Sequence, residues 1–385
     1  MIPSTTRRGW LGGSALLLMS SAGLLPVQAA GPMPPTGVQR LAAGWRVPKA
    51  ESGEPIDRVG ILAIDWDAQQ VHLLSDLPAP DRVHGLLALA DGGFIAVATR
   101  PGRWLLHCDA QGREVRRVLV DAEPHGRSLN GHVEPSLDGR WLYSTETDPR
   151  DGSNWLGVRE AATLRSVAQW KLPGVDAHQM LLDDDGQLFI TVGGIPRNEA
   201  GRKIQVEHMA SALIRFDPQR GGVTGTWRLP DARLSLRHMA WSEGQDGPAL
   251  LGIGLQSEHD DPAQRQRAPA LAIWDGRELF IPSHDAQAGG YAGDVVAAPG
   301  GGFMITSERS DRGLWWHPSE PRRMTTVAQL KGIYALTPSA AGAGPLSGTL
   351  FASHAGVAHW SLTSAPKMLT WPKPMAIDNH WVALA

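Results

Sequence analysis

Short apolar runs recur along this chain, and turns rich in glycine and aspartate separate them. In the stretch from residue 84 to residue 120, for example, the turn Asp91-Gly92-Gly93 separates Leu86–Leu89 from Phe94–Ala98, and Gln111-Gly112 separates Trp104–His107 from Val115–Val120. Short runs bounded by turn residues predict β-strands. No stretch beyond residue 30 has the periodicity of a long helix, so the pattern predicts an all-β fold.

The order of strands and turns repeats along the chain. Similar units follow at His132, His178 and His238, and two more start near Asp294 and Ile333. Repeats of about 40 to 50 residues are typical of β-propellers, in which each blade contributes one strand to a central channel. A histidine stands at the start of the inner strand in five units, at His84, His132, His178, His238 and His380.

The two ends of the chain are predicted to form the last blade together. His380–Leu384 resembles an inner strand without partners, whereas Trp45–Val47, Val59–Ile64 and Val71–Leu74 resemble three strands that lack an inner neighbour. Pairing these segments would close the ring and remove exposed strand edges. We therefore predict one seven-bladed β-propeller domain over residues 31–385, with six or eight blades as alternatives.

Residues 1–30 have the features of an export signal. Arg7-Arg8 precedes an apolar stretch from Leu11 to Leu25, and small residues follow at Ala29-Ala30. Paired arginines before such a stretch predict a twin-arginine-type signal peptide and a periplasmic protein, with a general secretory signal as the alternative. The apolar stretch is short for a membrane span, so we expect no span after signal removal, with an uncleaved anchor as the alternative.

Composition narrows the function classes. The chain has 36 basic and 39 acidic residues, a formal charge of −3, which argues against nucleic-acid binding. Its one cysteine, Cys108, cannot form an internal disulfide and is predicted to be buried as a small apolar residue. No phosphate-binding loop, nucleophile elbow, paired-cysteine motif or haem-attachment motif is present, which leaves no familiar enzyme class indicated. We expect a monomer.

The recurring histidines are the main candidates for chemistry. Residues at one phase of a propeller repeat meet in the channel, and neutral imidazole is a common ligand of iron, copper and zinc. The five histidines are therefore predicted to form a metal site for iron or copper. Alternatively, each histidine hydrogen-bonds nearby backbone and joins two blades. His132 is one residue closer to its Asp-Gly turn than His84 and His178 are, so we expect an offset or a β-bulge there.

Acidic residues form a second candidate group. Glu146, Asp148, Asp294 and Asp378 are predicted to orient the imidazoles, with Glu308 as a further candidate, or alternatively to offer oxygen ligands to calcium. Turn capping and exposure to solvent are the alternative roles for these carboxylates. The polar segment from Pro196 to Met209 is predicted to be a blade insertion that covers one channel mouth.

Several segments resemble the bacterial domain-of-unknown-function family 1513. The resemblance spans roughly residues 40–385 and implies a periplasmic, propeller-like protein, often encoded beside imelysin-type proteins of iron uptake, with no established activity. It is carried by Arg82-Val83-His84-Gly85, Asn130-Gly131-His132, Leu142–Asp148, Val192–Ile195, Ser235–Ala240 and Asp378-Asn379-His380.

Three functions of different classes are compatible with these features. The leading hypothesis is a periplasmic protein that handles iron or copper and works with periplasmic iron-uptake proteins, the latter implied by the resemblance. The second is a lactonase-like or other metallo-hydrolase whose channel metal activates water. The third is a non-catalytic scaffold that binds a protein partner, since propellers support many functions.

The export prediction can be tested at the paired arginines. We expect Arg7→Lys/Arg8→Lys to retain the precursor in the cytoplasm, because neither residue belongs to a blade and only the signal is altered. Cell fractionation and immunoblotting measure the distribution. Export of the double variant in a strain without the twin-arginine translocase would indicate a general secretory signal instead.

Overall fold

The computed structural model describes residues 38–48, 56–198, 200–242, 249–284, 286–339 and 348–385. The predicted signal peptide lies outside these ranges. Within them, 28 strands form seven four-stranded antiparallel sheets. The seven-bladed prediction is therefore confirmed, against the six- and eight-bladed alternatives. None of the helices in the described ranges has the length and hydrophobicity of a membrane span.

The strands follow one another as meanders along the chain. The first three strands are β1 (Val38–Arg46), β2 (Asp57–Asp65) and β3 (Gln70–Pro78). Blade 1 consists of β4 (Val83–Ala88), β5 (Phe94–Ala98), β6 (Trp104–Cys108) and β7 (Glu114–Leu119). Blade 2 consists of β8 (Ser128–Pro135), β9 (Trp141–Thr147), β10 (Ser153–Glu160) and β11 (Ser166–Val175). Blade 3 consists of β12 (Ala177–Leu182), β13 (Leu188–Val192), β14 (Ala212–Asp217) and β15 (Gly222–Trp227).

The remaining blades repeat this arrangement. Blade 4 consists of β16 (Leu234–Ser242), β17 (Leu250–Ser257), β18 (Leu271–Trp274) and β19 (Leu279–Phe280). Blade 5 consists of β20 (Asp294–Ala297), β21 (Phe303–Ser307), β22 (Arg312–Trp316) and β23 (Met324–Gln329). Blade 6 consists of β24 (Leu336–Pro338), β25 (Thr349–Ser353), β26 (Gly356–Trp360) and β27 (Lys367–Thr370). The last strand is β28 (Ala376–Leu384).

Among the described residues, helical structure occurs in loops between strands. The α-helix α1 (Pro262–Arg267) follows β17, and the Asp261 side chain caps it by accepting hydrogen bonds from Ala263 N and Gln264 N. Three short 3-10 helices lie at Val120–Ala122, Val206–His208 and Ala286–Ala288.

The chain ends close the ring as predicted. β28 pairs antiparallel with β1, and the sheet order of blade 7 is β28-β1-β2-β3. The register runs from Arg40 opposite Leu384 to Arg46 opposite Ala376. The first strand of each blade contacts the first strand of the next, in the order β4, β8, β12, β16, β20, β24, β28 and back to β4. These seven strands therefore surround the channel.

The core consists of apolar layers between adjacent blades. Ile61 of blade 7 packs in one such layer with Phe94, Trp104 and Cys108 of blade 1. Trp104 also donates a hydrogen bond from Nε1 to Asp81 Oδ1 at 2.8 Å. Burial raises the pKa of the Cys108 thiol to about 12, so the predicted role of this residue as a buried apolar group is confirmed.

The closure can be tested by truncation. Deleting residues 378–385 removes most of β28 and exposes the edge of β1. It also removes the buried side chains of Trp381 and Leu384, and burial of each contributes roughly 1.5 to 3 kcal/mol to stability. We expect aggregation or loss of cooperative unfolding, measured by size-exclusion chromatography and thermal melting. Deleting Ala385 alone is the matched control and should leave melting unchanged. A monomeric truncated protein with the wild-type melting temperature would contradict this role of β28.

Candidate functional site

β-Bulges position the channel histidines. In β4, Val83 pairs with Ala98 and Leu86 pairs with Ala96. The inner strand therefore advances three residues while its neighbour advances two, and His84 lies in this bulged segment. Such a bulge bends a strand and changes the direction of a side chain. Comparable irregularities surround the other four histidines: Leu129 to Val133, Ala177 to Met180, Leu236 to Met239 and Ile377 to Trp381.

His132 has a longer bulge than His84. Leu129 pairs with Glu146 and Val133 pairs with Ser144, so four steps of β8 oppose two steps of β9. The altered spacing of His132 is therefore accommodated by a bulge. Gly131 within it has φ +104°, and a Cβ there would lie 2.4 Å from Cδ2 of His84. The bulge requires glycine at this position for backbone conformation and for space.

The five imidazole rings form one cluster. Nine of the ten ring pairs have centroids 4.3 to 5.6 Å apart. Nε2 of His238 lies 2.8 Å from Nε2 of His178 and 3.0 Å from Nε2 of His380. Ligand atoms of His84, His132, His178 and His238 all lie within 4.8 Å of one another. The structure thus brings together all five histidines selected from the sequence.

Burial favours the neutral form of four histidines in the cluster. His84, His132, His178 and His238 are at most 7% exposed. Desolvation is the main reason that their pKa values lie well below the usual range, and the neighbouring imidazoles and Arg100 lower them further. Neutral imidazoles retain a lone pair for a ligand or a hydrogen bond.

Four ring nitrogens of the cluster have no hydrogen-bond partner among the described residues: His84 Nε2, His132 Nε2, His178 Nδ1 and His238 Nδ1. Within the same residues, the hydrogen bonds of the five rings join His238 to His178 and to His380, and His380 to Asp294, and none of them goes to a backbone group. This arrangement does not favour the alternative in which the histidines join blades through backbone hydrogen bonds.

Asp294 is the predicted carboxylate that reaches the cluster. Its Oδ1 lies 3.0 Å from Nδ1 of His380 and accepts a hydrogen bond from Val295 N, while Oδ2 accepts one from Leu336 N at 2.8 Å. Fixed in this way, the carboxylate orients His380 so that its Nε2 faces His238.

The other acidic candidates have different partners. Glu146 accepts hydrogen bonds from Ser144 Oγ and Arg159 Nη2, both at 2.8 Å. Glu308 accepts a hydrogen bond from Tyr334, and burial raises its pKa. Asp148 pairs with Arg150, and Asp378 pairs with Arg82. The structure therefore gives Glu146, Asp148 and Asp378 arginine partners instead of imidazole partners.

A buried charge cluster beside the histidines was missed in the sequence. Asp176 Oδ1 lies 2.7 Å from Arg100 Nη1 and 3.0 Å from Arg197 Nε, and its Oδ2 lies 2.8 Å from Arg237 Nη1. Burial alone would raise the pKa of Asp176, but the three arginines outweigh it and hold the value at about 2. The sequence holds one indication of this cluster, which is closeness to the candidate histidines. Arg237 directly precedes His238, and Asp176 lies two residues before His178.

Comparison with known protein families identifies the family of this chain. The model of a family described as "Protein of unknown function (DUF1513)" matches residues 77–384. No curated protein sequence matches this chain.

Three solved structures show partial similarity to this chain. Virginiamycin B lyase from Staphylococcus aureus is 11% identical, with 78% of this chain and 94% of that chain covered and a TM-score of 0.49. Hydrazine synthase of Kuenenia stuttgartiensis is 12% identical, with 74% and 83% covered and a TM-score of 0.49. A streptogramin B lyase structure is 12% identical, with 82% and 95% covered and a TM-score of 0.48. Likenesses at this level carry no argument about function.

The lowered pKa values predict how stability depends on pH. An unfolded histidine has a pKa of about 6.5, above those of the four buried histidines, so the unfolded chain binds more protons as the pH falls through about 6.5. We expect the free energy of unfolding of metal-free protein to fall between pH 7.5 and 5.5, by at most about 1.4 kcal/mol per histidine per pH unit. Urea unfolding measures it.

Two double variants isolate this effect. His178→Ala/His238→Ala should flatten the pH dependence, whereas His72→Ala/His354→Ala, at two exposed positions, should preserve it. Equal wild-type stability at pH 7.5 and 5.5 would show that the four imidazoles are not held neutral by the fold.

Proposed function

We propose that this chain, which belongs to the DUF1513 family of proteins of unknown function, binds a transition-metal ion in the channel of its propeller. The supporting observation is the convergence of four buried imidazoles whose ligand atoms lie within 4.8 Å of one another. Metal–nitrogen bonds of about 2.0 to 2.1 Å allow two ligands of one ion to be at most about 4.2 Å apart. Small side-chain rotations would bring the four atoms into that range.

The donor set favours iron or copper over calcium or magnesium. Imidazole nitrogen suits iron, copper, zinc and nickel, whereas magnesium and calcium prefer oxygen ligands. His84, His132, His178 and His238 would supply nitrogen ligands, with His380 as a fifth. Because burial lowers the pKa of the first four, protons compete weakly for these nitrogens at neutral pH.

Asp294 supports the same proposal. A carboxylate that accepts from one ring nitrogen of a histidine commonly fixes the other nitrogen for a metal. The 3.0 Å contact between Asp294 Oδ1 and His380 Nδ1 has that form, with Nε2 of His380 directed to the cluster. A metallo-hydrolase would be favoured by several carboxylates around the ion, but among the described residues Asp294 is the one that reaches the histidines.

The proposed role is the binding of iron or copper in the periplasm. The predicted twin-arginine signal supports the compartment, and the family resemblance supports an association with periplasmic iron-uptake proteins. Ligands on the inner strands of five blades in a closed ring would hold an ion with little reorganisation of loops.

Elemental analysis of protein without a histidine tag tests the proposal. After exposure to Fe(II), Cu(II) or Zn(II) and removal of excess ion, we expect wild-type protein to retain one of them. His178→Ala/His238→Ala should lower that content at least about tenfold, because it removes two ligands. Melting of the metal-free forms, recorded on the same samples, checks that the variant is folded.

The control variant is His72→Ala/His354→Ala, which removes two exposed histidines outside the cluster. It should retain the wild-type metal content. Wild-type protein that retains none of the three ions, or a control variant that loses as much metal as the channel variant, would overturn the proposal.

A further inference from the structure

Three guanidinium groups share one carboxylate next to the histidine cluster. Arg100, Arg197 and Arg237 all contact Asp176, and among the described residues they have no other acidic partner within salt-bridge distance. The group therefore has two more positive charges than negative ones. Uncompensated charge is costly inside a protein, and burial lowers the pKa of Arg100 to about 9. The excess charge would be stabilised by a bound anion.

The arrangement also has unused hydrogen-bond donors. Arg237 is 2% exposed, and its Nε and Nη2 have no partner among the described residues. Arg197 uses Nε for Asp176 and Nη1 for the carbonyl oxygen of Gly201. At Gly193, an added Cβ would lie 2.6 Å from Asp176 Oδ2 and 2.9 Å from Arg237 Nη1. The absence of a side chain there allows the carboxylate and the guanidinium to meet.

Three members of this group, Arg100, Asp176 and Arg197, line a cavity of about 240 Å³, whereas Arg237 contacts Asp176 without lining it. Ile195 and Ile204 supply apolar surface to it, and Ile204 belongs to the segment predicted to cover a channel mouth. Asn130, two residues before His132, also lines the cavity. The space suits a small molecule with one anionic end and a short apolar body.

Two carboxylates on the cavity wall already have partners. Asp148 accepts hydrogen bonds from Arg150 Nε at 2.9 Å and from Nη2 at 2.5 Å, and Asp151 accepts one from Ser153 N at 2.9 Å. Asp148 and Asp151 therefore leave the guanidinium groups of Arg100 and Arg197 available to an anion.

We propose that this cavity binds a small organic anion, whose carboxylate or phosphate group contacts Arg100 and Arg197 beside Asp176. Planar guanidinium groups bind such oxyanions through paired hydrogen bonds. The cavity lies close to the histidines, since Arg237 and His238 are consecutive, but anion binding does not require a metal in the channel. The two proposals can therefore fail separately.

Isothermal titration calorimetry of metal-free protein tests this proposal. The probes are succinate, inorganic phosphate and the uncharged analogue succinamide. We expect saturable binding of succinate, of phosphate or of both, no binding of succinamide, and weakening at higher salt because the attraction is electrostatic. Binding of succinate alone indicates a carboxylate ligand, and binding of phosphate alone indicates a phosphate ligand. Failure of both anions to bind, or equal binding of succinamide, overturns the proposal.

Variants locate the anion on the arginines. Arg197→Gln should weaken binding at least about tenfold, while Arg197→Lys, which keeps the charge but not the planar group, should have an intermediate effect. Arg197 lies outside the four-stranded blades and Asp176 retains two arginines, so we expect the variant to fold. Arg220→Gln is the matched control, because its side chain is 89% exposed and pairs weakly with Asp217. Equal affinities of wild type and Arg197→Gln, or an equal loss in Arg220→Gln, overturn the assignment.

Discussion

The antiparallel pairing of β28 with β1 closes the ring, and the geometry of the channel depends on this contact. Each inner strand contributes side chains from its own blade, so these side chains converge only if the blades form a complete circle. His380 illustrates the dependence. It lies on the last strand, yet its ring centroid is 5.0 Å from that of His84 in the first complete blade. Without the β28 pairing these two rings would belong to opposite ends of an open array.

Within the closed ring, local bulges determine what faces the channel. A regular strand alternates its side chains between two faces, whereas an extra residue shifts that alternation. The five histidines all occur where the inner strand has extra residues. Blade 5 instead starts in regular register at Asp294, whose carboxylate contacts His380. The cluster therefore combines five bulged strands with one regular strand that supplies a hydrogen-bond acceptor.

The channel keeps two kinds of buried polar group next to each other. Burial lowers the pKa values of His84, His132, His178 and His238, and their neutral form avoids the cost of desolvating a charge. The guanidinium groups of Arg100, Arg197 and Arg237 carry a positive charge instead, and all three contact the single carboxylate of Asp176. Their positive charge in turn lowers the pKa of the nearby histidines. The two groups are thus electrostatically linked, although different blades and loops supply them.

Strand patterns and repeat spacing were sufficient to predict the blades, their number, the shared phase of the histidines and the pairing of the chain ends. The strands follow from alternation and turn residues, which are local properties, whereas the number of blades and the pairing of the chain ends follow from the repeat length. From the sequence, His132 was expected either to be offset from the other histidines or to be accommodated by a β-bulge. The structure has the bulge, between Leu129 and Val133.

Only the tertiary structure decided which charged groups meet. Glu146 and Asp148 resemble Asp294 as isolated carboxylates in the sequence, but Glu146 meets Arg159 of the neighbouring strand in blade 2, and Asp148 meets Arg150 in the turn after β9. The Asp176 cluster joins arginines that are 76, 21 and 61 residues away from it. Such contacts depend on where loops from separate blades come together in space, which a repeat pattern does not specify.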